Sequence, residues 1–367
     1  MFVKELHIVN FKNIAEATFA FSRRFNCFVG NNGAGKTNVL DALHQLSMCK
    51  SYFNLSDTQN IRHEEAFFVL QGKYEREGNE IEVYCGLKRG QKKVFKKNHK
   101  AYERLSEHIG LLPLVMIAPE DVSLIDGGSE ERRRLVDGII SQSDRDYLHA
   151  LIRYNKALQQ RNALLRASDG RVIDPMMLEV WDEQLVSCGE KILKGRMEFV
   201  GAFEAFFQRY YELISSGKEA VSLAYKSSLQ EGQGMQEALK AAAEKDRILG
   251  YTSVGIHRDD LSLAIGDYPV KKIGSQGQKK TFLIALKLAQ YAWLYQLNKV
   301  KPLLLLDDIF DKLDAERVQR IIELLGQDMF GQVFITDTNR QHLDDILKSQ
   351  EVGYKLFFAQ GNGSFVE

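Results

Sequence analysis

Gly30-Asn31-Asn32-Gly33-Ala34-Gly35-Lys36-Thr37 carries the plainest chemistry in the chain, satisfying G-x-x-x-x-G-K-[ST] at every constrained position. Glycines there let the backbone wrap around phosphate oxygens, so that N–H groups and a helix N-terminus face the anion. Lys36 is placed to reach the β- and γ-phosphates of ATP, and the Thr37 hydroxyl to sit on Mg²⁺. The apolar run Phe25 to Val29 comes before and Val39-Leu40-Asp41-Ala42-Leu43 after. This reads as strand, loop, helix, the context the motif requires.

Pro302-Leu303-Leu304-Leu305-Leu306-Asp307-Asp308 reads as a buried strand ending in two carboxylates. Beside a phosphate loop, Asp307 is expected to hold the Mg²⁺ shell and Asp308 to orient or deprotonate the attacking water, with Lys36 as the other catalytic group. Asp is one methylene shorter than the Glu common at this place in transporter-type ATPases, so slow hydrolysis is expected. Gly274-Ser275-Gln276-Gly277-Gln278 opens a predicted helix, where a hydroxyl, a glycine N–H and the helix terminus make a second anion site. It resembles the L-S-G-G-Q signature of the ABC ATPase superfamily. That resemblance implies that Ser275, Gln276, Gly277 and Gln278 act in trans, on the γ-phosphate held by a second subunit. Asp311-Lys312-Leu313-Asp314 resembles the D-loop of the same superfamily, which implies that Asp311 and Asp314 cross the same interface. The plainer alternative for Ser275 is a helix cap.

The elements that must hold these groups follow from periodicity. Residues 2–9, 17–21 and 25–29 read as strands and 36–48 as the helix after the phosphate loop. Alternation over 67–74, 80–87 and 92–97, with turns at Gly78-Asn79 and Gly90, suggests antiparallel hairpins. From Ser129 to about Gly250 helical spacing takes over. Leu148, Leu151, Asn155, Leu158, Asn162 and Leu165 form one 3-4 seam. Leu178, Trp181, Leu185, Cys188, Ile192, Gly195, Phe199, Ala202 and Phe206 form another, which reads either as an antiparallel helical hairpin turning near Ser168-Asp169-Gly170 or as a globular helical subdomain with a few long helices. Beyond Gly250, strands are expected at Thr252 to Ile256, Leu261 to Ile265, 303–306, Val333 to Thr336 and Lys355 to Ala359. Helices are expected at Ser275 to Tyr295 and Arg317 to Leu325. The expected fold is α/β. It combines a P-loop ABC-type ATPase head, a β-rich insertion, and a helical lobe with a short antiparallel hairpin. The expected divisions are 1–128 and 251–367 for the two parts of the head and 129–250 for the lobe.

With 367 residues, two domains or lobes are the prior. Lys+Arg and Asp+Glu are both 49, so any nucleic-acid surface must be local. Cys27, Cys49, Cys85 and Cys188 show no C-x-x-C spacing, which argues against a zinc site or redox dithiol and fits a reducing compartment. No basic-then-apolar leader and no apolar run near 18 residues is present, so a cytoplasmic protein without a membrane partner is expected.

Six separated segments in order resemble the RecF family over nearly the whole chain. They are Phe11-Lys12-Asn13-Ile14, the phosphate loop, Pro119-Glu120-Asp121 leading through Gly127-Gly128 and Arg132-Arg133 to Asp137, Gly255-Ile256-His257-Arg258-Asp259-Asp260-Leu261, Ser275-Gln276-Gly277-Gln278, and Asp307-Asp308. Ser129, Ile256 and Asp311-Lys312 depart from the family's usual Pro, Pro and Ser-Glu. The resemblance implies ATP and Mg²⁺ as cofactors, with nucleotide contacts from Lys12, Gly30, Asn31, Asn32, Gly33, Ala34, Gly35, Lys36, Thr37 and Asn38. It implies an ATP-dependent homodimer on duplex, single-stranded or gapped DNA in recombinational repair and replication. RecR, RecO and RecA would be its partners, the nucleoid its location, and weak DNA-dependent ATPase activity its chemistry.

Lys88 to Lys100 carries seven cations and no acid, so Lys92, Lys93, Lys96 and Lys97 are candidate phosphate contacts, or else a solvated strand edge. Arg132-Arg133-Arg134 lies among Glu130, Glu131 and Asp137 and reads as a salt-bridge cluster. An ABC transporter ATPase is the alternative function. Against it, Thr336-Asp337-Thr338 stands where transporters carry a switch histidine. A P-loop nuclease would need a larger C-terminal domain than the stretch after Asp308 provides.

Overall fold

Three runs without polar alternation, Phe25–Val29, Leu303–Asp307 and Val333–Asp337, are buried at every position and pair in parallel. Burial on both faces is the environment such runs fit. The computed structural model describes every residue except 54–55, 170, 172–173, 216, 218, 230–231, 233, 311–312, 339–352 and 362. Its strands in chain order are β1 (Phe2–Phe11), β2 (Ile14–Ala20), β3 (Phe25–Val29), β4 (Phe67–Arg76), β5 (Asn79–Lys88), β6 (Val94–Lys97), β7 (Lys100–Ala101), β8 (Leu114–Ile117), β9 (Val221–Lys226), β10 (Asp260–Ile265), β11 (Tyr268–Pro269), β12 (Leu303–Asp307), β13 (Val333–Asp337), β14 (Tyr354–Gly361) and β15 (Ser364–Val366). The helices are α1 (Lys36–Met48), α2 (Ser123–Asp126), α3 (Ser129–Ser141), α4 (Arg145–Ala167), α5 (Pro175–Ser215), α6 (Met235–Leu249), α7 (Val270–Ile273), α8 (Gln276–Asn298) and α9 (Ala315–Gly326).

One unit comprises Met1–Asp121, Leu213–Ser215 and Ile284–Glu367. It holds two six-stranded sheets, β2-β1-β4-β5-β6-β7 and β15-β14-β3-β13-β12-β8. The first is antiparallel throughout, while the second is parallel from β14 to β8. Helix α1 contacts strands of both sheets and is buried continuously from Val39 to Ser47. That explains why it lacks a one-sided apolar stripe. Phe19, Phe21, Phe28 and Phe357 meet edge-to-face and stacked in the same core.

The other unit comprises Val122–Glu212 and Ser216–Leu283 and contains α4, α6, nearly all of α5 and the sheet β11-β10-β9. Tyr147 meets Arg196 near one end of α4, and Arg161 meets Asp182 near the other, so α4 and α5 run antiparallel. The α4 seam is one residue away from the leucine-based expectation. Tyr147, Ala150, Tyr154, Ala157, Arg161 and Leu165 are buried, while Asn155 is exposed. Alanines allow close approach, and a fully buried Arg161 is satisfied by Asp182, Asp246 and Thr252. On α5 the expected Leu185, Cys188, Ile192 and Phe199 are buried, but the seam then passes to Phe203 and Phe207 and leaves Ala202 exposed.

Two further expectations need correction. Strand β9 interrupts the stretch read as helical and pairs with β10 along its whole length. Thr252 to Ile256 is not a strand. The segment is held by side chains instead, with Thr252 donating to Asn162 and Ser253 to Asp246, and it leads into a 3₁₀ turn at Ile256–Arg258.

Candidate functional site

Strand β3 ends at Val29 and the chain turns through Gly30, Gly33 and Gly35, with φ of 154°, 79° and 103°. A Cβ on Gly30 would lie 2.7 Å from the Ala359 carbonyl oxygen, and one on Gly35 would lie 2.8 Å from Asn13 Oδ1. Only glycine fits both places. The Asn13 amide donates to the Gly33 carbonyl at 2.9 Å, and Asn38 donates to Asn13 Oδ1 at 2.7 Å, so the β1–β2 turn props the loop from outside. Helix α1 starts at Lys36, where its first N–H groups precede the intrahelical ladder, an arrangement suited to an anion.

Lys36 is 8% exposed, and its ammonium donates to the carbonyls of Gly30 at 2.6 Å and Asn31 at 2.9 Å. Burial lowers its pKa from the usual lysine value, while Asp308, Asp307 and Asp337 oppose that shift. Thr37 donates to both Asp307 oxygens, at 2.9 and 3.0 Å, and Thr336 donates to Asp307 Oδ1 at 2.6 Å. Burial raises the Asp307 carboxyl above the usual range, against the pull of those two hydroxyls. Asp308 adopts a left-handed φ of 48°, with its N–H donating to Thr336. Lys36, Thr37, Asn38, Asp307 and Asp308 line one cleft of about 270 Å³ with Asn32, Gly33, Gly35 and Glu120. Thr37 with Asp307 is a hard-oxygen pair suited to a cation that takes its remaining ligands from phosphates and water, as Mg²⁺ does.

Glu120 and Asn13 were not singled out as site residues from sequence, although both lie in segments that carry the family resemblance. Glu120 lines this cleft and a second, neighbouring one of about 730 Å³ shared by Lys12, Asn13, Thr37, Asn38, Phe53 and Arg89. Lys12 sits in the second cleft with its ammonium 2.7 Å from buried Asp41 and over the Phe53 ring. Beneath Glu120, Asp121 accepts from Tyr52, from the Ala118 N–H and from Lys287, which pairs with it at 3.1 Å. No isolated motif could reveal that buried group, because its members come from three distant segments.

The remaining expected residues lie elsewhere. Ser275 caps α8 reciprocally, with Gln278 N–H donating to its hydroxyl and Ser275 N–H donating to the Gln278 side chain. Gln276 is exposed and Gly277 half-buried beside it. Asp314 caps α9 by accepting from the Arg317 N–H, while Asp311 lies outside the described residues. Lys93 is turned inward onto Asp57 and the Cys49 carbonyl, and Lys96 lies over Tyr84. Lys92 is exposed and Lys97 half-buried. His257 accepts from Tyr154 and donates to the Thr252 carbonyl, and burial lowers its pKa to about 4. Arg132 clamps Asp260 through two contacts, and Arg133 reaches the Asp259 carbonyl.

A phosphate loop on β3 and α1, an acidic strand β12 separated from β3 by β13, and a Ser-Gln-Gly-Gln helix start place this fold among ATPase heads of the ABC and SMC type. The RecF/RecN/SMC N-terminal domain family matches residues 2–362. Relatives described as DNA replication and repair protein RecF include one from Phocaeicola vulgatus, 55% identical over 97% of this chain and 96% of its own length. Another, from Bacteroides thetaiotaomicron, is 53% identical with the same coverage. A solved recombination mediator protein RecF with ATP, described as part of the RecFOR pathway, superposes with TM-score 0.88 at 29% identity, covering 100% of this chain and 97% of its own. The Smc head domain from Pyrococcus furiosus shares the fold, with TM-score 0.57 at 16% identity over 100% of this chain and 96% of its own. The chain belongs to the RecF family.

Proposed function

We propose that the chain is an ATP-gated DNA-binding protein of recombinational repair and replication. ATP closes a homodimer on DNA, and slow hydrolysis releases it. One observation carries this reading most: Lys36, Thr37, Asp307 and Asp308 converge on a single cleft at a helix N-terminus. The RecF relatives and the ATP-bound RecF of the same fold support it. Triphosphate binding exchanges the Lys36 contacts with Gly30 and Asn31 for charge-assisted ones to the β- and γ-phosphates. The nucleoside fits the neighbouring cleft, against Lys12 and Phe53. Mg²⁺, when bound, neutralises charge on the phosphate oxygens and fixes their orientation. Thr37 and Asp307 are the residues that would hold it. Asp308 orients or deprotonates the attacking water. Ser275 to Gln278 reach the nucleotide of a second copy, joined there by Asp311 and Asp314. Loading of RecA at single-stranded gaps together with RecR and RecO completes the proposed cycle, with a weak, DNA-dependent ATPase activity that uses Mg²⁺. A transporter role is disfavoured by Thr338, which follows β13 where a switch histidine belongs.

The test is equilibrium binding to duplex, single-stranded and gapped DNA, with and without ATP. ATP-dependent binding is expected. Wild-type affinity for DNA that ignores ATP would remove the gating claim.

A further inference from the structure

Helix α4 has a solvent face of one charge sign. Arg145, His149, Arg153, Lys156, Gln160 and Arg166 are exposed on it. At 100° per residue these six fall within about 140° of arc, opposite the buried seam of Tyr154, Ala157 and Leu165. From Tyr147 to Ala167 the helix contains no acid; Asp146, in its first turn, is exposed about 20° outside that arc, and the exposed Ile152 lies within it. None of Arg145, Arg153, Lys156 and Arg166 forms an ion pair or hydrogen bond through its side chain among the described residues. Elsewhere on the long helices the pattern differs. Lys194 of α5 pairs with Glu198, and Glu183 and Glu190 stand near Lys191. Mixed charge is the ordinary composition of a solvated helix, since opposite signs at i, i+4 stabilise it. With a net formal charge of zero over the chain, an acid-free face on a 23-residue helix is a local departure from the average.

We infer that the exposed face of α4 is a docking surface for the phosphodiester backbone of duplex DNA. The inference rests on the DNA-binding reading above and assigns it a place. The stripe from Arg145 to Arg166 is about 32 Å long at 1.5 Å per residue. That matches one turn of duplex, roughly 34 Å. Arginine and lysine supply charge, glutamine supplies neutral donors, and neither needs to read a base for such contacts. The hairpin lysines are weaker candidates, because Lys93 is committed to Asp57 and the Cys49 carbonyl.

The experiment is DNA affinity as a function of salt for the full chain with a slowly hydrolysed ATP analogue. The wild type is compared with the triple variant Arg153→Gln, Lys156→Gln, Arg166→Gln and a control variant Lys191→Gln, Lys194→Gln. Glutamine keeps helix propensity close to that of the residues replaced, and circular dichroism with nucleotide titration checks that each variant is folded. Three lost phosphate contacts flatten the log–log salt slope on duplex by about 2.7 for each chain of the dimer that touches the duplex, and weaken binding by roughly 500-fold per such chain near 0.1 M salt. The control keeps the wild-type slope. A triple variant that retains the wild-type slope on duplex overturns the inference, even if it has lost affinity for heparin. A change confined to single-stranded DNA also overturns it. A wild type that binds no DNA at all would overturn both this inference and the reading beneath it.

Discussion

At the scale of single residues, the site depends on groups whose charge is held in place before any nucleotide arrives. Lys36 is buried and bonded to two loop carbonyls, so its ammonium is already desolvated where the phosphates would lie. Lys36→Met removes that charge while keeping the buried stem. ATP affinity is expected to fall by about 100-fold, the worth of roughly two charge-assisted hydrogen bonds. Isothermal titration measures it, and affinity like wild type would remove the phosphate-loop assignment. Asp308→Asn keeps the shape of the side chain and loses the carboxylate. Binding should persist while turnover falls by at least about 100-fold. Single-turnover hydrolysis at the wild-type rate would show that another group, such as Glu120 in the lining of the same cleft, positions the water.

At the scale of elements, the capping box at Ser275 means that α8 begins with an ordinary local bond whatever else the signature does. Ser275→Ala should cost about 1 kcal/mol of stability, the usual worth of such a cap. Ser275→Arg should cost a similar amount and also abolish ATP-dependent dimers, with monomer ATP binding retained. Sedimentation with a slowly hydrolysed analogue separates the two variants, and normal dimers in Ser275→Arg would sink the trans-acting signature. Lys287 of α8 pairs with Asp121 at a site where both are at most 8% exposed. Lys287→Met strands that carboxylate and should lower stability by about 3–5 kcal/mol in urea unfolding. The parallel strands β3, β12 and β13 and helix α1 were legible because each is a short apolar run beside a motif with a fixed context, whereas β8, parallel to β12, has no such motif and was not read as a strand. Strand β9 was not, because Val221–Lys226 gains its partner only from β10, far along the chain. The α4 seam was misread by one residue because leucines mark burial in a sequence more loudly than alanines or an ion-paired arginine. The Thr252–Ile256 segment alternates like a strand, yet its backbone bonds go to Asn162 and Asp246 side chains. The phosphate loop and acidic strand are contiguous and could be read directly. Asn13, Glu120 and the buried Tyr52–Asp121–Lys287 group owe their positions to tertiary packing.

At the scale of the whole molecule, three buried histidines make stability depend on acid. Burial lowers His44, His108 and His257 from 6.5 to about 4 each. Their depressed pKa values mean that the unfolded chain binds more protons below its own histidine pKa. Stability is therefore fully present above pH 6.5 and is lost as pH falls toward 4. The unfolding free energy from urea titrations should drop across that window, by up to about 3 kcal/mol per histidine, and a flat profile between about pH 6.5 and 5 would contradict neutral buried rings. Cys27, Cys49, Cys85 and Cys188, none of them in a disulfide, are all buried, and burial pushes the Cys49 and Cys85 thiols up to about 12, so unfolding rather than thiol chemistry should limit their modification.

The central claim is that nucleotide at the Lys36–Asp307 cleft controls the hold on DNA. Its most direct test is duplex binding measured in parallel with the oligomeric state, for wild type and Lys36→Met, with and without a slowly hydrolysed ATP analogue. The expected result is a dimer that binds DNA tightly only for wild type with the analogue, and a Lys36→Met chain that stays monomeric and weakly bound under both conditions. Equal DNA affinity in all four measurements would contradict the account.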